Sequence, residues 1–566
     1  MKILRVDMGE RSIAFEEEPE SYQKWWGRGL IAKILTEEMD PTAEPLGPNN
    51  IFIVTRGPLA GTGFSSSGRV SVGGKSPLTG GIKEANAGGN VGEFLARLAI
   101  KAIVVKGQAP FGFAGVLVVD EENARIEEAP ELKGVGIYQA ADLLRQRFGD
   151  SALVLNGPAA DFKMNVSAVM CTDREGVPGR AAGRGGLGAV MASKGLKAIV
   201  LRPVNKKVPL ADEEAFVKVR SELNKYILEN PMTSKVFSTQ GTASMVNTMY
   251  HLGGLPTRNF SHGQFEKADN IRGTTLHQVI TQRGGAGTTG HPCMAGCLVR
   301  CSNIFPDSDG KEIVRALEYE TLVMMGSNLG IGDVDAIARF NRACNDLGVD
   351  TIETGAAIAV AMDAGLWKFG DVAAVEEALE HVRAGDILGR VLGAGAEITG
   401  KVLGWHRVPT VKGQALAAYD PRAVKGMGVT YATSPMGADH TAGHTVAFKV
   451  DHHSPEGQVD VSRISQVKRA AYDVLDLCSF LFSATAEHTD KIMELVNSVI
   501  GSKFGPEDFE KLGRECLLME RDFNARAGIV SAHDRLPEFL YRERLQPYNL
   551  VFDVPREELS KLFSRL

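Results

Sequence analysis

Three cysteines stand four residues apart in the segment HPCMAGCLVRC, which runs from His291 to Cys301. On a helix, Cys293, Cys297 and Cys301 would share one face, and in a loop they could surround one corner of a cluster. A structural zinc site normally brings its cysteines as two close pairs, and no second pair exists here. A [4Fe–4S] cluster takes four thiolates, which fits three from a compact motif and one from a distant position. The spacing therefore favours an iron–sulfur cluster over zinc, with small buried cysteines of the core as the plain alternative.

The fourth thiolate of such a cluster has to come from elsewhere in a chain that has only seven cysteines. Four isolated cysteines are candidates for it, namely Cys171, Cys344, Cys478 and Cys516. Their spacing alone does not choose among them. An odd number of cysteines, mostly scattered, does not form a disulfide framework and fits a reducing compartment.

A glycine-rich loop is the second feature that could do chemistry. The stretch GRGGLG, from Gly183 to Gly188, matches G-x-G-x-x-G, and AVMASKG after it could form a helix whose first amides receive a phosphate. The preceding DREGVPGRAA is not interpreted as a strand, which disfavours a dinucleotide-binding unit. The interpretation left is a phosphate-bearing cofactor other than a dinucleotide. Basic residues that could balance its charge, or equally form a solvated face, are Arg69, Lys75, Arg180 and Arg184.

The elements that must position these residues change character along the chain. Up to about Val204 short β-type runs such as NIFIVT and KAIVVKG alternate with glycine-rich turns. From about Asp212 apolar residues recur at three- and four-residue steps, as in DVDAIARFNRACNDLG. We therefore predict an α+β protein with a sheet domain over 1–205, followed by two largely helical domains over 206–415 and 416–566.

Composition excludes several classes of partner. The chain has 63 Lys+Arg against 69 Asp+Glu, a net charge of −6, which gives no reason to expect nucleic acid or an anionic membrane as partner. No apolar run approaches the roughly 20 residues of a membrane span, and the N-terminal MKILRVDMGERS lacks the apolar stretch of a signal peptide. We expect a cytoplasmic protein.

Nearly the whole chain resembles the aldehyde ferredoxin oxidoreductase family. The segments that carry the resemblance, in the expected order, include WGRGLIAKIL, LGPNNIFIVTRGPLAGT, SSSGRVSVGGKSPLTGG, EANAGGNVG, GRAAGRGGLGAVMASKGLKAIV, EYETLVMMGSNLGI, LGVDTIETG, YDPRAVKGMGVTYATSPMGADH and YDVLDLCSF. The resemblance implies an N-terminal sheet domain that forms the base for two pterins, covered by two largely helical domains. It also implies a tungsten or molybdenum bis-pyranopterin, one [4Fe–4S] cluster, and Mg²⁺ bridging the pterin phosphates.

The resemblance also assigns ligands residue by residue. The family motif D-x-x-G-L-(C/D) corresponds to DVLDLC, which makes Cys478 the fourth cluster ligand but has Asp476 in place of the motif glycine. Its first copy corresponds to NDLGVD, where Asn345 replaces the leading carboxylate. The cluster motif has three rather than two residues between its first two cysteines. The residues expected to hold the cofactor are Arg69, Asn86, Ala182, Arg184, Gly185, Asn345, Gly348, Val349, Asp350, Asp473 and Leu477.

The family pattern places a glutamate and a histidine beside the metal as acid and base, which correspond to Glu320 and His440. An imidazole with an ordinary pKa of roughly 6.5 and a buried carboxyl suit proton transfer near neutral pH. By themselves, Glu320 would be interpreted as a solvated helix residue and His440 as a hydrogen-bonded core histidine. The alternatives are Glu318, and His444, which would share a helical face with His440.

The function implied by the resemblance is oxidation of an aldehyde to a carboxylic acid, with a ferredoxin or ferredoxin-like subunit as electron acceptor. A low-potential reductase subunit of the benzoyl-CoA reductase kind, with the same cofactors, is the second hypothesis. A non-catalytic iron–sulfur electron-transfer subunit is the third. A homo- or hetero-oligomer is expected, and the sequence does not identify the aldehyde.

Overall fold

The first part of the chain forms two mixed six-stranded sheets. The computed structural model describes residues 1–565. The first sheet has the order β2-β1-β6-β3-β4-β5. Its elements and the helices beside it are β1 (Lys2–Asp7), β2 (Ser12–Glu17), α1 (Gly27–Glu38), β3 (Phe52–Arg56), β4 (Val70–Lys75), β5 (Ile82–Ala87), α2 (Val91–Arg97) and β6 (Ile100–Lys106). All residues of β3 and β4 are buried, which is why these strands read as nearly unbroken apolar or small-residue runs.

The second sheet has the order β11-β10-β9-β12-β7-β8. Its elements and helices are β7 (Gly115–Val119), β8 (Ala124–Glu128), α3 (Ile137–Phe148), β9 (Ala152–Leu155), α4 (Pro158–Asp161), β10 (Val169–Cys171), β11 (Arg180–Ala182), α5 (Leu187–Ser193) and β12 (Leu196–Leu201). The prediction that no strand precedes the glycine-rich loop was wrong. Strand β11 has only three residues and no alternating pattern, and it forms because it pairs with β10.

The middle of the chain is mostly helical, as predicted. It contains α6 (Glu213–Glu229), α7 (Phe237–Gln240), α8 (Ser244–Leu252), α9 (Gly273–Arg283), β13 (Thr288–His291), β14 (Ser302–Pro306), β15 (Glu312–Arg315), α10 (Tyr319–Met324), α11 (Val334–Leu347), α12 (Thr351–Asp363), α13 (Val372–Ala384), α14 (Ile387–Gly393), α15 (Ala396–Leu403), β16 (Thr410–Val411) and β17 (Gln414–Ala415). Five of these helices begin after an aspartate whose carboxylate accepts a backbone N–H of the first turn. Such N-caps fix where the helices start.

The last part is also helical. It contains α16 (Lys425–Thr433), α17 (Gln458–Val474), α18 (Phe482–Thr485), α19 (Thr489–Ile500), α20 (Asp508–Arg526), α21 (Phe539–Arg542) and α22 (Arg556–Ser560). Helix α17 lies against α20 and α1, and the buried Arg28 of α1 donates to Glu520 of α20 and Asp473 of α17. The α+β class with sheets first and helices after is therefore confirmed. None of the helices described is long and apolar enough to cross a membrane.

One hydrophobic cluster joins side chains from all three predicted domains, for example Ile53, Phe216, Val299 and Leu475. The division at residues 205 and 415 stays a prediction. The same cluster contains three of the cysteines expected to bind iron, Cys293, Cys297 and Cys478. The segments that carry these thiols are thus held by the shared core.

Candidate active site and cluster site

The cysteine triple lies on an irregular loop, residues 292–301, between β13 and β14 rather than on a helix. Cys293 and Cys297 are buried, and Cys301 is partly buried. The segment between β3 and β4 supports this cysteine loop, because Ser65 Oγ accepts the Leu298 N–H at 3.0 Å. Ser66 Oγ lies 3.5 Å from Cys297 Sγ.

Cys478 reaches the same place from the end of α17. Its backbone N–H donates to the Ser66 carbonyl at 2.9 Å, next to the contact between Ser66 and Cys297. Burial raises the pKa of the Cys301 thiol, and the nearby Glu318 and Cys478 add to the effect. The structure thus brings Cys478, among the four candidates, to the triple.

Two of the other isolated cysteines have different neighbours. Cys344 lies near Asp350, and burial raises the pKa of its thiol to a value far above neutral pH. Cys516 Sγ lies 3.9 Å from Glu520 Oε1. Arg28 lies near Cys516, but burial and the charge of Glu520 outweigh it and raise the pKa of this thiol well above the ordinary value.

The predicted donor set consists of four thiols, which is the ligand chemistry of a [4Fe–4S] cluster. No three His, Cys, Asp or Glu side chains within residues 1–565 are grouped so that they could hold a single metal ion as they stand. The thiols converge pairwise, through Cys297 with Cys293 and through Cys301 with Cys478. The residues present therefore fit a cluster by ligand type and by convergence.

Glu320 and His440 face each other. Glu320 is the second residue of α10, and its Oε2 accepts the Ala418 N–H at 2.9 Å. His440 Nε2 lies 3.4 Å from Glu320 Oε1. Burial raises the pKa of Glu320, while His440 opposes the shift. Within the described residues, Glu320 Oε1 and His440 Nδ1 are buried without a hydrogen-bond partner, so both can still bind a ligand or a proton.

Aromatic rings surround the pair. Tyr419 stacks on His440 with ring centroids 5.9 Å apart and meets His444 edge-on at 4.9 Å. Burial raises the pKa of Tyr319, Tyr419 and Tyr431 well above the ordinary value, which keeps the three phenols neutral. The prediction that His444 shares a helical face with His440 was wrong. The chain leaves α16 at Ser434 and is irregular as far as α17.

The glycine-rich loop carries Arg184, whose guanidinium is held by protein groups on several sides. It lies 3.2 Å from Asp350 Oδ2 and 3.5 Å from Glu353 Oε2. It also donates to the carbonyls of Ala438 at 2.8 Å and Ala415 at 2.7 Å. Burial raises the pKa of Glu353 to about 7. These contacts tie the loop to α12 and to the segment before His440.

Positive φ angles shape this loop, and a neighbouring buried ion pair supports it. Gly185 has φ 87° and Gly186 has φ 74°, values that side chains other than glycine rarely adopt. A Cβ on Gly185 would meet the Lys83 side chain at 2.4 Å. Lys83 pairs with Asp439. Burial opposes ionisation of Asp439, but Lys83 and Arg184 outweigh it and hold its pKa well below the ordinary value.

A second polar group lies at the end of α17. Arg69 donates to Asn86 Oδ1 at 2.7 Å, and Asn86 Nδ2 lies 3.5 Å from Asp473 Oδ1. Asn86 also donates to Glu84 at 3.1 Å. Burial, followed by the charge of Asp473, raises the pKa of Glu84 to about 7. Three residues expected to contact the cofactor, Arg69, Asn86 and Asp473, are therefore brought together.

Asp476, which stands where the family motif has glycine, adopts φ 51°. Its Oδ1 and Glu84 Oε1 both lie 2.7 Å from Ser71 Oγ. A hydroxyl donates one hydrogen bond only, so the second contact requires a proton on one of the two carboxyls. Asp476 thus adopts the left-handed backbone that suits the motif glycine and adds a buried acid to the turn.

The remaining residues predicted to hold the cofactor lie outside the polar groups of Arg184 and Arg69. Ala182 pairs with Val169 in the second sheet. Gly348, with φ 68°, ends α11, and Val349 forms a bridge with Ser167. Leu477 donates its N–H to the Tyr472 carbonyl at 2.9 Å. Asn345 Nδ2 lies 3.3 Å from the Tyr138 hydroxyl of α3, which directs it toward the second sheet.

Sequence reasoning missed the buried charges Lys83, Glu84, Glu353 and Asp439, and the ring of Tyr419. All five lie inside or beside the segments that carry the family resemblance, and Asp439 directly precedes His440. Their position in these segments was the feature of the sequence that could have identified them. Their roles depend on contacts between distant parts of the chain, such as the pair of Lys83 with Asp439.

Models of known families match both parts of this architecture. Residues 3–203 match the N-terminal domain of aldehyde ferredoxin oxidoreductase, and residues 218–562 match its domains 2 and 3. The chain belongs to the aldehyde ferredoxin oxidoreductase family. Membership in this family of oxidoreductases confirms the resemblance found in the sequence.

Relatives in the family are similar over most of their length. The chain is 32% identical to a tungsten-containing aldehyde ferredoxin oxidoreductase of Thermococcus kodakarensis over 573 residues, 96% of this chain and 91% of that protein. It is 32% identical to the one of Pyrococcus furiosus, covering 94% and 90%. The WOR-like subunit of an aliphatic sulfonate oxidoreductase from Pyrococcus furiosus is 26% identical, covering 92% of this chain and 85% of that subunit.

Among solved structures, the active site complex BamBC of benzoyl coenzyme A reductase, bound to 1,5-dienoyl-CoA, has the same fold. The superposition has a TM-score of 0.82 and covers all of this chain and 93% of the matched chain. Sequence identity is 18%, so the likeness concerns the fold of the aldehyde ferredoxin oxidoreductase family and not the reaction.

Proposed function

We propose that this protein is a tungsten-dependent oxidoreductase that oxidises aldehydes to carboxylic acids and passes the electrons to a ferredoxin or a ferredoxin-like subunit. The observation that carries the proposal is the contact between Glu320 and His440, with an unpartnered polar atom on each side chain among the described residues. A chain that only conducts electrons needs no such pair. Support for aldehydes comes from the relatives that are 32% identical.

The cofactor proposed is a tungsten, or alternatively molybdenum, bis-pyranopterin with Mg²⁺ between its phosphates. When bound, it supplies a Lewis acid and an acceptor of two electrons. The residues proposed to hold it are the backbone of Ala182 to Gly185 on one side, and Arg69, Asn86 and Asp473 on the other. The dithiolene sulfurs of such a cofactor would supply the metal ligands, so no further Cys or His of the chain would be needed.

The chain's own contribution to the reaction is proton transfer and orientation. Conversion of an aldehyde and water to a carboxylic acid releases two electrons and two protons. Glu320 is held by the Ala418 amide, so its Oε1 stays directed at His440. A carboxyl whose pKa is raised by burial can take a proton and give it to the imidazole. Tyr419 fixes the ring of His440 by stacking.

The residues that would hold the proposed [4Fe–4S] cluster are Cys293, Cys297, Cys301 and Cys478, and the cluster would supply a one-electron centre. A ferredoxin accepts one electron at a time, so a one-electron centre beside a two-electron centre matches the demands of the reaction. We expect the protein to work in the cytoplasm, in a homo-oligomer or with a small electron-transfer subunit.

The second candidate is a low-potential reductase with the same cofactors, because the fold of this chain also occurs in the benzoyl coenzyme A reductase complex and so does not by itself distinguish the two reactions. Metal analysis of anaerobically purified protein tests the class. About one tungsten or molybdenum and four iron atoms per chain support an enzyme, whereas iron alone supports an electron-transfer subunit. An aldehyde panel with a viologen dye as acceptor then separates aldehyde oxidation from the reductase, which would not reduce the dye with any aldehyde.

A further inference from the structure

Most buried arginines of this protein are paired with carboxylates, but two beside the cysteines are not. Ion pairs with Asp or Glu exist for Arg28, Arg184, Arg407 and Arg422. Among the described residues, no carboxylate oxygen lies within 4.0 Å of the guanidinium of Arg180 or Arg469. These two residues are only 8% and 6% exposed. Glu318 is near enough to Arg180, and Asp473 to Arg469, for their charges to interact, but neither forms an ion pair with the arginine.

Each of the two arginines is anchored on the serine that follows a predicted cluster cysteine. Arg180 Nη1 donates to Ser302 Oγ at 2.9 Å, and Ser302 follows Cys301. Arg469 Nη1 donates to the Ser479 carbonyl at 2.6 Å, and Ser479 follows Cys478. One arginine comes from the second sheet and the other from α17, so two separate elements bring a positive charge to the thiols. Arg69, directly before β4 of the first sheet, is also near Cys293 and Cys478, but it differs because its guanidinium donates to Asn86.

Both guanidinium groups keep N–H groups unused. Arg180 Nε and Nη2 and Arg469 Nε are buried and have no hydrogen-bond partner within the described part of the chain. A third buried arginine without a carboxylate, Arg56, differs in this respect. Its Nε and Nη1 donate to backbone carbonyls. An aromatic ring does not distinguish it, because Arg56 lies over Trp26 and Arg469 lies over Phe482. Of these three arginines, Arg180 and Arg469 have buried N–H groups without a partner among the described residues, and Arg56 does not.

A buried cation without an ion-pair partner is costly to desolvate. Four thiolates that hold iron carry a net negative charge, which increases by one unit when the cluster is reduced. Positive charge and N–H donors near the sulfurs stabilise the reduced form more than the oxidised form and so raise the reduction potential. Low dielectric makes the effect stronger in the interior than at the surface.

We infer that Arg180 and Arg469 are the built-in counter-charges of the iron–sulfur cluster and that together they raise its reduction potential. They act as positioning residues: neither is a ligand, and each is anchored on the residue that follows a ligand cysteine. The inference rests on the cluster of the proposed function. It gives this chain a way to keep the cluster reducible by the catalytic centre.

The test is an electron paramagnetic resonance titration of the cluster in anaerobically purified holoenzyme. The variants are Arg180→Met, Arg469→Met and the double variant, each with its iron content measured. We expect the potential of both single variants to become more negative. In the double variant, the ratio of reduced to oxidised cluster at the wild-type midpoint should fall at least tenfold, or about 59 mV for one electron.

Two controls separate charge from structure. Arg300→Met removes an exposed positive charge from the cysteine loop, and solvent screening should limit its effect to less than about twofold. Arg180→Lys and Arg469→Lys keep the charge and should keep most of the wild-type potential. Met variants that lose iron while the Lys variants retain it would also support the inference.

The inference is overturned if the Met variants retain four iron atoms and the wild-type potential. It is also overturned if Met and Lys variants lose iron equally, because the arginines would then act through their bulk. Wild-type protein without iron would contradict the proposed cluster itself, and this result is distinguishable because it precedes any comparison of variants.

Discussion

The proposed catalytic side and the proposed cluster side of the molecule differ in the partners of their buried arginines. Arg184, near the catalytic pair, has Asp350, Glu353 and two backbone carbonyls as partners. Arg180 and Arg469, near the cysteines, are each anchored on a serine and form no ion pair with a carboxylate among the described residues. Charge is balanced by the protein on the first side and left for a bound group on the second. An anionic bound group is therefore expected beside Arg180 and Arg469.

The comparison also refines the role of Arg184. Its guanidinium is occupied by protein acceptors, so the backbone amides of the loop, rather than the side chain, are left for a phosphate. The side chain instead ties the glycine-rich loop to α12. On the cluster side, the unused N–H groups of arginine are the feature that fits a ligand.

The largest expected effect is on the cluster side. Cys478→Ser removes the thiol that completes the set, and we expect reduction of ferredoxin to be abolished and iron to be lost. Because this thiol joins α17 to the cysteine loop, the melting temperature should fall as well. Iron analysis and thermal unfolding measure both. Cys516→Ala, at a buried cysteine away from the triple, is the control and should keep its iron; loss of iron in this variant alone would refute the ligand choice.

On the catalytic side, Glu320→Gln should reduce turnover of aldehydes by about 10²- to 10⁴-fold, because the amide cannot exchange a proton with His440. Tungsten and iron contents should stay at wild-type levels, which distinguishes this variant from the cysteine variant. The measurement is kcat with a viologen dye. Glu318→Gln is the matched control, since Glu318 accepts from Thr242 at 2.6 Å instead of facing His440. Full turnover by Glu320→Gln would show that another residue is the acid.

Removing the paired arginine should cost more stability than removing an unpaired one. Arg184→Met leaves Asp350 and Glu353 buried without their cation, and breaking such a pair costs about 3–5 kcal/mol in the free energy of unfolding. Urea unfolding of Arg184→Met and Arg469→Met, with the cluster in place, compares the two sides. A larger loss of unfolding free energy for Arg469→Met than for Arg184→Met would contradict this prediction.

The pH dependence of stability should report Glu353. Its pKa is about 7 in the folded protein and higher than in the unfolded chain. The folded state therefore binds the proton more tightly, and the contribution of Glu353 is present below the unfolded pKa and lost as pH rises toward 7. Glu353→Gln should show a smaller fall in the urea midpoint between about pH 5 and 7. Equal slopes for both proteins would contradict the shift.

The smallest expected change is a gain in stability from Asp476→Gly. Glycine adopts the observed φ of 51° without strain, and the substitution removes a buried carboxyl oxygen that has no partner in the described residues. Relief of the strain should raise the free energy of unfolding by about 1 kcal/mol, and the greater freedom of glycine in the unfolded chain offsets part of this gain. Urea unfolding measures it. A loss of stability would show that the bond from Ser71 outweighs the strain.

Local pattern was enough to predict the order of sheets and helices, because strands and helices differ in the period of their apolar residues. It was not enough for β11, a three-residue strand that exists through its neighbour, or for the irregular segment around His444. Cys478 was selected through the family resemblance, because spacing alone did not distinguish the four isolated cysteines as cluster ligands. The buried charges were missed for a different reason. Lys83 and Asp439 are 356 residues apart, and only the folded chain brings them into contact.

The contact of Ser66 with both Cys297 and Cys478 has a consequence for biosynthesis. The three segments leave the ribosome at widely separated times, and Cys478 is made last. A complete set of four thiols exists only after α17 has docked against the sheet domain and the cysteine loop. Iron delivery should therefore follow synthesis of almost the whole chain, and a maturation factor would meet a nearly folded protein rather than a nascent one.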